Sequence, residues 1–163
     1  MKYLHIFCII ICIECVSYSQ MYSLYGIDLL TTPNVSESLF KTFTLEEDDY
    51  LSKKYIGVTY DNIILHLSYM KTSGNSIDDD EKYKLTIISR IYDNSSFEEW
   101  VSKVELFRLY FKVEPEISVL EDLTLRIANW KFVQTNTIFN VLYNESGRRT
   151  IEVLSYDYSS SYH

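Results

Sequence analysis

The residues of this chain best equipped for chemistry are carboxylates, and they come in runs: Glu46-Glu47-Asp48-Asp49, Asp78-Asp79-Asp80-Glu81 and Glu98-Glu99. Neighbouring carboxylates on one loop rarely turn toward a common atom. A calcium loop would alternate its ligands around a glycine turn, which the run 78–81 does not do. Acid/base work on a glycosidic bond would need two carboxylates on either side of a cleft. What such runs do supply is a solvated loop, or a negative patch that speeds encounter with a basic partner. On that reading Glu46, Glu47, Asp48, Asp49, Asp78, Asp79, Asp80 and Glu81 are the candidate ligand-binding residues.

Other chemistry is scarce. Beyond residue 19 the histidines are His66, in an alternating run, and His163 at the end of the chain; Cys8, Cys12 and Cys15 all lie earlier. Neither a His/Cys zinc site nor a Cys-His nucleophile can be assembled from that set. A Gly-x-Ser-x-Gly elbow that could recruit His66 is absent, and Gly26, Gly57, Gly74 and Gly147 are too scattered for a phosphate loop. The expectation is therefore a non-enzymatic protein with no catalytic residue, no metal and no cofactor.

The amino terminus carries an address. Lys2 precedes an apolar run at 4–13, and Ser17 and Ser19 offer the small residues a signal peptidase accepts, so residues 1–19 read as a signal peptide cleaved before Gln20. The run is too short to span a bilayer. Cleavage removes every cysteine, so a secreted domain of residues 20–158 must fold on its hydrophobic core without disulfides, followed by a frayed tail at 159–163. Lys2 and Glu14 cancel within the signal, leaving the formal charge of −8 on the mature chain. That charge disfavours nucleic acid and favours a basic extracellular protein as partner, and no later stretch approaches the length of a membrane anchor. Asn34, Asn94 and Asn144 each begin an N-x-S sequon in a stretch that reads as a turn or loop, and are the candidate glycosylation sites.

The elements that must position these residues are mostly strands. The chain holds fifteen Tyr, eight Phe and, at Ala128, one alanine, a composition suited to pleated sheet. Period-two alternation predicts strands at 23–31, 39–45, 55–69 (broken at Asp61-Asn62), 83–92 and 123–133, and a closing hairpin at 138–143 and 150–158. In the third run Ile63, Leu65, Leu67 and Tyr69 share one side, and Ile64, His66 and Ser68 the other. Ser96-Phe97-Glu98-Glu99 matches a capping box and predicts a short helix at 97–103. For 104–113 the alternation of Phe107, Leu109, Phe111 and Val113 favours strand over the helical stripe Trp100, Val104, Phe107, Phe111. These signals predict an all-β protein: an antiparallel β-sandwich of about seven or eight strands with at most one short helix.

Several ordered segments carry a resemblance: Tyr25-Gly26-Ile27-Asp28-Leu29, Glu98-Glu99-Trp100-Val101-Ser102-Lys103-Val104 leading into Leu109-Tyr110-Phe111-Lys112-Val113, then Leu142-Tyr143-Asn144 and Ser155-Tyr156. In order and spacing they resemble the SECRET domain, the chemokine-binding module found C-terminal in poxviral tumour-necrosis-factor receptor homologues and alone in small secreted relatives. The disulfide cysteines usual in that family have no counterpart beyond residue 19. The resemblance implies a β-sandwich that withholds chemokines from their receptors, a viral immune-evasion role, and it carries over no individual contact residue. The rival expectations are a lipocalin-like β-barrel holding a small ligand and a structural or adhesive surface protein. A lipocalin would show an early Gly-x-Trp, whereas Trp100 and Trp130 both come late.

Overall fold

A computed structural model of the chain describes residues 22–72, 80–120 and 124–158. The expected signal peptide at 1–19, the tail at 159–163, and Asp78 and Asp79 lie outside the described residues.

The elements are β1 (Ser23–Leu24), β2 (Ile27–Asp28), α1 (Pro33–Glu37), β3 (Thr42–Asp48), β4 (Ser52–Val58), β5 (Ile64–Lys71), β6 (Tyr83–Asp93), α2 (Phe97–Phe111), β7 (Glu116–Leu120), β8 (Leu125–Phe132), β9 (Thr137–Asn144) and β10 (Arg149–Tyr156). β1 and β2 form a small ribbon; the other eight strands form one sheet in the order β3-β4-β5-β6-β10-β9-β8-β7, antiparallel throughout. The protein is all-β as expected, consistent with a β-sandwich.

Alternation places the core. Leu65, Leu67 and Tyr69 are buried on one sheet face while Ile64 is exposed, and the same inner face holds Ile88, Leu154, Phe139 and Trp130 on successive strands. Two covers lie over it. Segment 27–40 brings Ile27, Leu29 and Phe40 into the core. Phe40 rests directly on Gly57, where an added Cβ would come within 2.4 Å of its ring. Over β8 to β10 the cover is α2, with Trp100 and Val104 buried and Phe107 and Phe111 packed against the core.

That helix corrects the expectation for 97–113. The capping box is present, with Ser96 Oγ accepting from the Glu99 amide and Glu99 Oε2 accepting from the Ser96 amide, but the helix continues for fifteen residues to Phe111 and stops at Lys112, whose φ of 54° is left-handed. Residues 104–111 are helical because Phe107 and Phe111 stack on one side of the helix. There they meet Phe139 at 4.5 Å and Trp130 at 5.6 Å between ring centroids. The aromatic spacing suits both periods, and the partners across the core select the helical one.

Smaller differences have local causes. The strand expected at 23–31 is folded into a ribbon at Tyr25 (φ 55°) and Gly26 (φ 76°). The strand expected at 39–45 starts only at Thr42, because Phe40 turns into the core and Leu39 is left exposed. α1 and the edge strand β7 carried no signal in the alternation. The break at Asp61-Asn62 is a hairpin turn, with Asn62 left-handed and Thr59 Oγ1 accepting from the Ile63 amide.

Candidate functional site

The run 46–49 and the described end of the second acidic run sit at the same end of the sheet. β3 turns into β4 at Asp49–Leu51, and the connection from β5 to β6 ends in the 3-10 turn Asp80–Lys82. The two are tied by backbone and ring contacts: the Lys71 amide donates to Leu51 O at 2.9 Å, and the Tyr83 hydroxyl donates to Tyr50 O at 3.1 Å. A bulge between Leu45 and Glu47 lets both Glu46 and Glu47 reach the outer sheet face. There Glu47 pairs with Lys54, and Glu46 lies 3.9 Å from His66 Nδ1.

This end is a mosaic rather than a uniform negative patch. Among the described residues its acids are Glu46, Glu47, Asp48, Asp49 and Glu81, interleaved with Lys53, Lys54, Lys71, Lys82 and Lys84. Lys71 lies 3.6 Å from the Tyr50 ring centroid and Lys53 4.8 Å from that of Tyr83. Tyr50 and Leu51 are nevertheless the apolar residues at the tip, 78% and 64% exposed. The arrangement can dock a charged protein surface. Among the described residues no three His, Cys, Asp or Glu side chains are grouped to hold a metal ion.

A second cluster, which the sequence reading missed, lies under α2. Glu152 of β10 is 1% exposed, and its carboxylate accepts from Lys103 Nζ at 2.7 Å and from the Tyr25 hydroxyl. The Tyr25 hydroxyl also meets the Tyr92 hydroxyl at 2.9 Å and accepts from Arg90 Nη1 at 3.2 Å. Lys103 lies 3.5 Å, and Arg90 4.4 Å, from the centroid of the Tyr92 ring. Burial raises the pKa of the Tyr25 phenol, helped by Glu152; burial also raises that of Tyr92, helped by its hydrogen bond to Tyr25. Both phenols are thereby held protonated. The cluster therefore fastens the β1-β2 ribbon and α2 to the sheet. Its sequence signal was faint: Glu152 is the one carboxylate at an inward position of β10, between Thr150 and Leu154.

Beside this cluster, a groove with a volume of about 400 Å3 opens between α2 and the ribbon. Leu106, Tyr110, Leu24 and Tyr25 form its walls, and Phe139 and Leu154 its floor. Its size falls within the range of small-molecule sites.

Of the sequons, Asn94 is in a turn and exposed, and Asn144 ends β9 with its Oδ1 accepting from the Gly147 amide at 2.8 Å. Asn34 departs from the loop expectation: it is exposed within α1, because Pro33 at the helix start and the buried Ser36 anchor that turn against the sheet. No helix among the described residues is long and apolar enough to cross a membrane. No family model, curated protein or solved structure matches this chain.

Proposed function

We propose that this chain is a secreted, non-enzymatic binding protein that captures a basic extracellular protein of the chemokine class and blocks it by occlusion. The observation that carries the reading is the convergence of both acid-bearing turns at one end of the sheet, around the exposed Tyr50 and Leu51. Aromatic and aliphatic anchors ringed by charge are the usual make-up of an interface centre and rim. The net charge of −8 adds long-range attraction for a basic partner. Secretion, glycosylation at Asn34, Asn94 and Asn144, and a role as viral decoy are parts of the same proposal.

The test is surface plasmon resonance of the protein against a panel of basic chemokines at two salt concentrations. Binding that weakens with salt is expected. Charge reversal at Glu46, Asp48 and Asp49 should chiefly slow association, and Tyr50→Ala should chiefly speed dissociation. No binding to any member of the panel would overturn the reading.

The groove beside α2 favours a second reading, a carrier of a small apolar ligand. It differs from the lipocalin pattern, since the site lies between a helix and a ribbon rather than inside a barrel. Binding of an apolar fluorescent probe, abolished by Leu106→Glu, would support it; a probe that binds equally to the variant would remove it.

A further inference from the structure

The outer face of the sheet, opposite α2, has no described element packed on it, and its middle is uncharged. On four adjacent strands Ile91, Ile151, Leu142 and Ile127 stand side by side in register. The next row holds Ser89, Val153, Asn140 and Asn129. Charge returns toward the margins, and there it is paired within the chain: Arg149 donates to Asp93 at 2.7 Å, Lys131 lies 3.3 Å from Asp157, and toward β3 Glu47 pairs with Lys54 and Glu46 lies 3.9 Å from His66. In a chain with 23% charged residues, an uncharged field of this breadth is a departure from an ordinary solvated sheet face, on which polar residues alternate with the core.

We infer that this face is covered by a second copy of the same chain, sheet against sheet about a two-fold axis. Self-pairing sets a surface against its own image, so any net charge on it meets like charge. The middle of this face has none to meet, and the charges at its margins are paired within the chain. A basic partner, by contrast, would find no counter-charge in that middle. The extent also suffices. Six strands, β4 to β8 in sheet order, at about 4.8 Å spacing, with three outward positions each about 6.8 Å apart, give a footprint of roughly 600 Å2. That approaches the ~800 Å2 that each partner buries in a standard specific interface. Face-to-face packing of two sheets is a stable arrangement, and here the two helical covers would lie on the outside.

Sedimentation equilibrium of the full chain, from micromolar to submillimolar concentration, tests this. A monomer–dimer equilibrium is expected, and it should tighten with added salt, because salt screens the repulsion between two copies of charge −8. Capture of a basic ligand weakens with salt, so the two proposals fail independently. Ile151→Lys and, at a position already polar, Ser89→Lys should each weaken dimerisation by at least about tenfold, since like charges set face to face are strongly unfavourable. Leu109→Lys, on the exposed side of α2, should leave it unchanged. A chain that stays monomeric, a dimer indifferent to Ser89→Lys, or one dissociated by Leu109→Lys overturns the inference.

Discussion

Lys103 of α2 places its Nζ 2.7 Å from Oε1 of Glu152, a carboxylate 1% exposed on a strand forty-nine residues further along. This pair, with Tyr25, is where the helix, the ribbon and the sheet are joined by charge rather than by packing.

Removing one member strands the other. Lys103→Met should destabilise the protein by about 3–5 kcal/mol, because a buried carboxylate loses its cation. The double variant Lys103→Met/Glu152→Leu should recover most of that loss, since an apolar pair of similar volume avoids burying charge at all. Urea denaturation of both variants reads the difference.

Two side chains in the same stretch separate helix from strand in 104–111. Phe111 packs edge-on against Trp130 and Phe139, whereas Leu109 is 67% exposed. Phe111→Ala should therefore cost about 3–4 kcal/mol, the lower part of the range for a core aromatic. Leu109→Gln should stay within about 0.5 kcal/mol. Strand packing would have placed the two on one face and made their costs similar.

Gly57 is held as glycine by the Phe40 ring on its Cα. Gly57→Ala should cost about 1–3 kcal/mol through overcrowding. Adding Phe40→Leu to it should cost less than the two single losses summed, because the shorter side chain makes room for the methyl group. Thermal melting of the two single variants and the double variant measures the coupling.

Alkaline stability follows from the buried phenols. The pKa values of Tyr25, Tyr69 and Tyr92 are raised above the ordinary tyrosine value, in each case first by burial. A raised phenol means that the folded state holds its proton longer than the unfolded state does. Its contribution is complete below the unfolded pKa of about 10 and is lost as pH rises above it. The fold should therefore weaken steadily above about pH 10, with a cooperative rise in phenolate absorbance that coincides with loss of the far-UV signal. Phe substituted at Tyr92 should shift that transition upward.

Much of the fold was legible in local pattern. The alternation Leu65, Leu67, Tyr69 named the inner face of β5, and the turn residues 144–148 named the β9-β10 hairpin. The capping box at Ser96 named the start of α2 to the residue. These signals are local because they depend on a period of two or on hydrogen bonds between residues three apart. The outer uncharged field is legible in the same way once the register of four strands is known, since each of its residues alternates with a core position.

What the tertiary structure alone decided is which of those local options met a partner. Phe107 and Phe111 satisfy both a helical and an extended period, and only the rings of Trp130 and Phe139 across the core made the stretch a helix. The acidic runs were visible as runs, but the approach of the turn after Asp80 to the run 46–49, and its dilution by five lysines, came from strand order. Glu152 read as one carboxylate among many until burial set it against Lys103 and Tyr25. Periodicity is a relation between neighbours in the chain; convergence is a relation between distant segments, and it exists only once the sheet has closed the distance.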